Sequence, residues 1–247
     1  MLKLTRYITI FTIFGFKPTF AQTTTTVNHF NKVIVSPHVQ VTFIEGEQES
    51  VTIEKSTVSN DKINIEVNGK TLRIYLDGAK EITKNSKVYE EGNKVKRPIY
   101  NGTVVTAIVT YKTLDALSIR GEETHVCKSL LKGNKFCLKI YGESTVIMNE
   151  VDLAELRTTL YGESVLEIRA GSITDQKYIA YGESKINSIG VKNRTTKITA
   201  YGEADFQINV SEQIKITAFG DATLGYRGNP EINKGLNIGK LHIDKID

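Results

Sequence analysis

The stretch Tyr141-Gly142-Glu143-Ser144 returns as Tyr161-Gly162-Glu163-Ser164, as Tyr181-Gly182-Glu183-Ser184 and as Tyr201-Gly202-Glu203-Ala204, at a spacing of 20 residues each time. Degenerate copies flank these four. Arg120-Gly121-Glu122-Glu123 stands 21 residues before the first, Phe219-Gly220-Asp221-Ala222 stands 18 after the fourth, and Ile238-Gly239 follows 19 later. Self-similarity at a fixed period of this length marks a stacked repeat architecture.

Around each Gly the chain alternates with a period of two. Four positions before it stand Leu117, Leu138, Thr158, Tyr178, Ile198 and Ile216; two before it stand Ile119, Ile140, Leu160, Ala180, Ala200 and Ala218. Four after it stand His125, Val146, Leu166, Ile186, Phe206 and Leu224; six after it stand Cys127, Met148, Ile168, Ser188, Ile208 and Tyr226. These mainly apolar columns read as an inner face, with polar residues between them, the pattern of half-buried strands. A strand, a Gly corner and a second strand cannot bury one face alone, but stacked copies can. The expected fold is therefore all-β: a parallel β-helix, or solenoid, with coils of about 20 residues. Parallel connections favour the right-handed form.

The N-terminal part is less regular. Phe30 to Val35, Val39 to Phe43, Val51 to Glu54, Ile63 to Val67 and Leu72 to Leu76 read as short strands, with Asn68-Gly69 a hairpin turn between the last two. Lys80 to Gly102 reads as an exposed, charged loop, and Val104 to Tyr111 returns to strand pattern. The expected organisation is a signal peptide at 1–21, an N-terminal β region at 22–115 that caps the solenoid, and the repeat β-helix at 116–247.

The signal peptide is read from Lys3 and Arg6, an apolar run from Tyr7 to Phe16, and Thr19-Phe20-Ala21 as a cleavage site. The alternative is an N-terminal membrane anchor, but Lys17 and Pro18 make the run short for a bilayer. Cleavage removes Lys3, Arg6 and Lys17, so the formal charge falls from +4 to +1. Nothing then calls for a nucleic-acid partner, and no later segment reads as a membrane span. The product is expected in the periplasm, the cell envelope or outside the cell. Cys127 falls on an inner column and Cys137 on an outer one. Two cysteines in an oxidising compartment can pair, but these positions argue against it.

The opening Phe30-Asn31-Lys32-Val33-Ile34-Val35 with Val39-Gln40-Val41, the stretch Lys70-Thr71-Leu72-Arg73-Ile74-Tyr75-Leu76 and the Gly-centred repeats resemble the bacterial family of auto-transporter adhesin head GIN domains. The resemblance covers roughly residues 29–240. It implies a right-handed β-helix, an exported or envelope location and no catalytic residues. Family repeats typically read Ser-Gly-Ala-Ser, whereas Tyr and Glu take two of those places here, so surface chemistry does not carry over.

Two outward columns are candidate binding residues. Tyr141, Tyr161, Tyr181, Tyr201 and Phe219 form an aromatic ladder, either a stripe for sugar rings or peptide side chains or a mutual stack that fixes the register. Glu143, Glu163, Glu183 and Glu203, with Glu122 and Asp221, form an acidic ladder. Like charges near 5 Å apart repel by roughly 1 kcal/mol per neighbour in water. A bound cation, the basic column Arg157, Lys177, Lys197 and Lys215, or amides at the corner could offset this. Ser144, Ser164 and Ser184 suit local hydrogen bonding at the turn.

No enzyme signature appears. His29, His38, His125 and His242 are scattered without metal-ligand spacing, and there is no nucleophile elbow or phosphate loop. Near-equivalent ladder carboxylates do not make a glycosidase pair, which needs two different environments. No cofactor is implied. The expected function is a non-catalytic, adhesin-like or envelope binding module for a glycan or a surface protein. The alternative is a purely structural envelope protein, and a polysaccharide lyase or hydrolase ranks below both.

Overall fold

The computed structural model describes residues 22–90 and 93–246. The segment read as a signal peptide lies outside the described residues. Strands dominate, and the one helical element described is a single 3-10 turn at Asn60–Lys62.

The repeat region stacks as its columns require. Strands β10 (Ala116–Gly121) and β11 (Thr124–Cys127) lead into β12 (Leu131–Gly142) and β13 (Thr145–Met148), then β14 (Val151–Tyr161) and β15 (Val165–Ile168). These are followed by β16 (Gly171–Tyr181), β17 (Ser184–Tyr201), β18 (Ala204–Phe219), β19 (Ala222–Arg227), β20 (Glu231–Ile238) and β21 (Leu241–Lys245). All pairings along this series are parallel, and Tyr141 pairs with Tyr161, Tyr161 with Tyr181, and Tyr181 with Tyr201. The strands pair in register one coil apart, so each column of the sequence becomes a ladder in space.

Each coil has three sides. Along β14 the buried positions run Val151, Leu153, then Leu156, Thr158 and Leu160. The phase slips by one between Leu153 and Leu156, which turns the chain through a corner. The Tyr-Gly corner and a turn after Ile168 supply the others. Leu138, Thr158, Tyr178, Ile198 and Ile216 share one internal column and Val146, Leu166, Ile186, Phe206 and Leu224 another, all buried. Large and small residues complement one another here: Tyr178 tilts against Phe206 at 6.3 Å, and Ala180, Ala200 and Ala218 leave the space.

The corner requires glycine. Gly142, Gly162, Gly182 and Gly202 have φ of 96°, 98°, 95° and 106°. A Cβ on Gly162 would also stand 2.6 Å from the carbonyl oxygen of Gly142 in the coil below. Conformation and close approach thus exclude a side chain independently.

The N-terminal strands join the same stack. β1 (Thr23–Thr26), β2 (Lys32–Val35), β3 (Val39–Glu45), β4 (Ser50–Ser56), β5 (Ile63–Asn68), β6 (Thr71–Leu76) and β9 (Val105–Tyr111) belong to the large sheet. β2 and β3 run parallel to β10 and β11, and β6 and β9 form the next layer out. Beyond it the chain reverses: β5 pairs antiparallel with β6 through the Asn68-Gly69 turn, and β4 pairs antiparallel with β9. These antiparallel strands cover the edges that the outermost layer would leave open. Lys80 to Gly102, expected as an exposed, charged loop, is exposed but holds a two-stranded hairpin, β7 (Asn85–Glu90) and β8 (Asn93–Pro98). Its described side chains are almost all exposed, so no alternation of buried residues announced it.

The other end blunts its edge within the last coil. Ile216 pairs with Lys234, but Ala218 pairs with Asn237, so a bulge intervenes. Asn237 turns its amide onto the backbone, accepting from the Ala218 N–H at 3.2 Å. A bulge and a charge in place of apolar ladder residues discourage edge pairing.

Candidate functional site

The aromatic ladder stands at the exit of the middle side of each coil. The centroids of Tyr141, Tyr161, Tyr181, Tyr201 and Phe219 are 4.9 to 5.0 Å apart and their planes lie within 2° to 6° of parallel. Each interior ring therefore has both faces covered by its neighbours. The stack is closed at its head by the Arg120 guanidinium, 4.9 Å from the Tyr141 ring, and at its foot by Ile238, which pairs with Phe219. Mutual stacking is thus what this geometry makes of the ladder. Tyr161, Tyr181 and Tyr201 remain 38%, 38% and 39% exposed. What they present outward is ring edge and phenol hydroxyl. Among the described residues none of these hydroxyls has a hydrogen-bond partner.

Two further rows lie on the same flat side, at alternate residues before the tyrosines. Thr159, Ile179, Thr199 and Thr217 form the first, and Arg157, Lys177, Lys197 and Lys215 the second. At about 3.3 Å per residue, the basic row runs about 13 Å from the aromatic one with the hydroxyl row midway. Arg157 pairs with Glu155, which also meets Lys135 at 3.8 Å. Lys177, Lys197 and Lys215 form no ion pair among the described residues. In the sequence this row is a column three before each Gly, and Lys139 and Ile179 interrupt it, which obscures its hydroxyl character.

The acidic ladder points elsewhere. Glu143, Glu163, Glu183 and Glu203 sit past the corner, exposed, and their carboxylates form no hydrogen bond or ion pair among the described residues. Corner amides do not neutralise them, because those amides already bond between coils: Gly162 N–H to Tyr181 O at 2.8 Å, and Gly182 N–H to Tyr201 O at 2.9 Å. Asp221 alone accepts a backbone N–H, from Lys240 at 3.1 Å. The basic column is on the other side of the aromatic row. Water and salt therefore carry the repulsion. Among the described residues no group of three or more His, Cys, Asp or Glu is placed to hold a metal.

Ser144 and Ser164 are buried under the corner and donate to Gly121 O at 2.8 Å and Gly142 O at 3.0 Å. They tie one coil to the previous one rather than bonding only within their own turn. The buried Ser184 hydroxyl has no partner.

The head of the ladder is different from every other coil. A pocket of 420 Å³ is lined by His38, Glu81, Ile82, Thr83, Arg120, Glu123 and Tyr141 among others. Glu81 bridges Arg73 and Arg120, each at 2.5 Å. His38 has φ of 70°, the one positive value on a non-glycine among the described residues. Its Nδ1 lies 2.7 Å from Gly102 O and its Nε2 2.6 Å from Thr83 Oγ1. A carbonyl can only accept, so Nδ1 carries a proton toward Gly102 O, and Nε2 shares a hydrogen bond with the Thr83 hydroxyl. Glu123 takes the place of the corner serine. Burial pushes its carboxyl up from the usual range, opposed by the Glu122 N–H that donates to it at 3.1 Å and by nearby His38.

Cys127 is buried and Cys137 half-buried, and both are free thiols. His125 is wholly buried in an internal column, as its position required.

The sequence matches the family model described as "Putative auto-transporter adhesin, head GIN domain" over residues 29–230. The chain belongs to this family. No curated protein matches it in sequence. Among solved structures, the GIN-domain chain is similar to a protein from Bacteroides fragilis described as a putative adhesin, at 17% identity and a TM-score of 0.76. That match covers 94% of this chain and 100% of the other. It is also similar to an adhesin so described from Parabacteroides merdae, at 17% identity and a TM-score of 0.64, covering 92% and 96%. A Parabacteroides distasonis protein described as lipid binding matches at 18% identity and a TM-score of 0.64, with the same coverage. At such identities the likeness establishes a shared fold alone. Among the described residues no helix is long and apolar enough to cross a membrane.

Proposed function

We propose that this protein is an exported, non-catalytic binding module of the adhesin type, and that the flat side bearing Tyr141, Tyr161, Tyr181, Tyr201 and Phe219 is its contact face for a glycan of a cell surface. One observation carries the proposal: a row of tyrosine rings repeated every 4.9 to 5.0 Å, whose hydroxyls have no partner among the described residues, beside a parallel row of threonines interrupted by Ile179. An extended sugar chain offers hydroxyl groups at a comparable repeat, so many weak hydrogen bonds form together and gain by multivalency. Sugar rings do not stack on this ladder, because its ring faces are occupied. Glu143, Glu163, Glu183 and Glu203 border the face beyond the corner and limit it on that side. Export is supported by the N-terminal targeting pattern and by the family.

Tyr161→Phe with Tyr181→Phe tests this. The variant retains the stack and its melting temperature but loses two hydroxyls. On an array of bacterial and host glycans it should show weakened binding where the native chain binds. Unchanged binding, or no binding by either protein, would leave the ladder a purely structural device.

A further inference from the structure

Resting on that reading of the face, we infer that its ligand is an anionic linear glycan, bearing carboxylate or sulfate groups, that lies along the solenoid axis. Lys177, Lys197 and Lys215 stand one above the other in successive coils, on the same flat side as the phenols. None has a carboxylate partner among the described residues. Next along the strand from Lys197 and Lys215, on the side away from the tyrosines, stand Thr195 and Gln213, which are uncharged. The residue in the same place beside Lys177 is Asp175, whose carboxylate is taken up by Arg194 at 3.1 Å and by the Thr195 hydroxyl at 2.6 Å. Three ammonium groups at coil spacing repel one another, and among the described residues no carboxylate pairs with them. An anionic ligand at the same spacing does so at each coil.

The orientation follows from the two flanking rows. A polymer that runs along the stacking direction, across the strands, meets every coil, whereas one along a strand meets only one. Beyond the tyrosines runs the unpaired Glu row, which repels anions; on the other side runs the Lys row, which attracts them. A sugar chain with acidic groups on one edge and hydroxyls on the other is thereby held with its acidic edge on Lys177, Lys197 and Lys215. Its hydroxyl edge meets the phenols, and the threonine row lies beneath. Complementary fields of this kind fix register more than they add raw affinity.

The test uses the chain from residue 22, with polygalacturonate, dextran sulfate and unmodified dextran as probes. One variant carries Lys177→Gln, Lys197→Gln and Lys215→Gln. A charge-matched control carries Lys132→Gln, Lys192→Gln and Lys240→Gln, on other parts of the surface. The native chain and the control should bind an anionic polymer in a salt-sensitive way, and the first variant should bind it about ten-fold more weakly. Preference between polygalacturonate and dextran sulfate separates carboxylate from sulfate. Equal weakening of both variants would overturn the inference, since net charge alone would explain it. Equal binding of neutral dextran, lost in the Tyr→Phe variant but kept in the Lys→Gln variant, would overturn the anionic ligand and leave the glycan face standing. Binding of none of the glycans on the array or the three polymers would overturn both.

Discussion

His125 should make this solenoid acid-sensitive, and replacing it should remove that sensitivity. The imidazole sits in an apolar column between Val41 and Val146 and is 0% exposed. Its Nδ1 accepts the Val41 N–H at 3.3 Å, and its Nε2, which then carries the proton, has no partner. Desolvation pushes its pKa down to about 3 from 6.5. A depressed histidine contributes stability that is whole above the unfolded value and declines as pH falls toward the folded one. Each unit costs about 1.4 kcal/mol, so the loss at pH 5 is about 2 kcal/mol. Glu123 acts with the opposite sign, since its raised carboxyl favours the fold as pH falls through its folded pKa. The comparison must therefore be between the native chain and His125→Leu, in which Glu123 is common to both. At pH 7 the leucine variant loses the acceptor for a buried N–H, worth about 1–3 kcal/mol, offset in part by removal of the unpaired Nε2. It should start at or below the native stability and overtake it near pH 5. Chemical denaturation at pH 7, 6, 5 and 4.5 reads the difference directly. A native-minus-variant difference that stays constant over this range would refute the placement of an uncharged His125 in the core.

Gly162→Ala should lower stability by more than about 2 kcal/mol, from strain at positive φ plus its clash with Gly142 O, while Gly69→Ala, at φ of 59° with open space around it, should cost about 1. Thermal denaturation of the two side by side would show it, and equal costs would contradict the stacked corner. Ser164→Ala should cost about 1 kcal/mol through its lost bond to Gly142 O, whereas Ser184→Ala, which removes an unpartnered buried hydroxyl, should be neutral or stabilising. A thiol titration of the native protein should register Cys137 alone, because burial pushes the Cys127 thiol up to about 12. Reaction of both thiols before denaturant is added would speak against the closed core.

Much of this molecule was determined by its sequence, because stacked parallel coils turn one-dimensional period into three-dimensional register. The 20-residue spacing of Tyr-Gly-Glu-Ser fixed which residues share a ladder, and period-two alternation fixed which columns face inward. His125, Cys127 and Tyr178 were therefore placed in the core, and the tyrosines on the surface, from position alone. Tertiary structure decided what depends on contacts beyond the repeat. Whether aromatic rings expose faces or edges is set by coil spacing and by what closes the stack, here Arg120 and Ile238 from atypical repeats. The hairpin between Asn85 and Pro98 buries almost nothing, so it left no hydrophobic pattern to read. The pocket at the ladder's head draws His38, Glu81, Arg120 and Glu123 from segments far apart in the chain. Only the stacking of β2 between β6 and β10, out of chain order, brings those residues together.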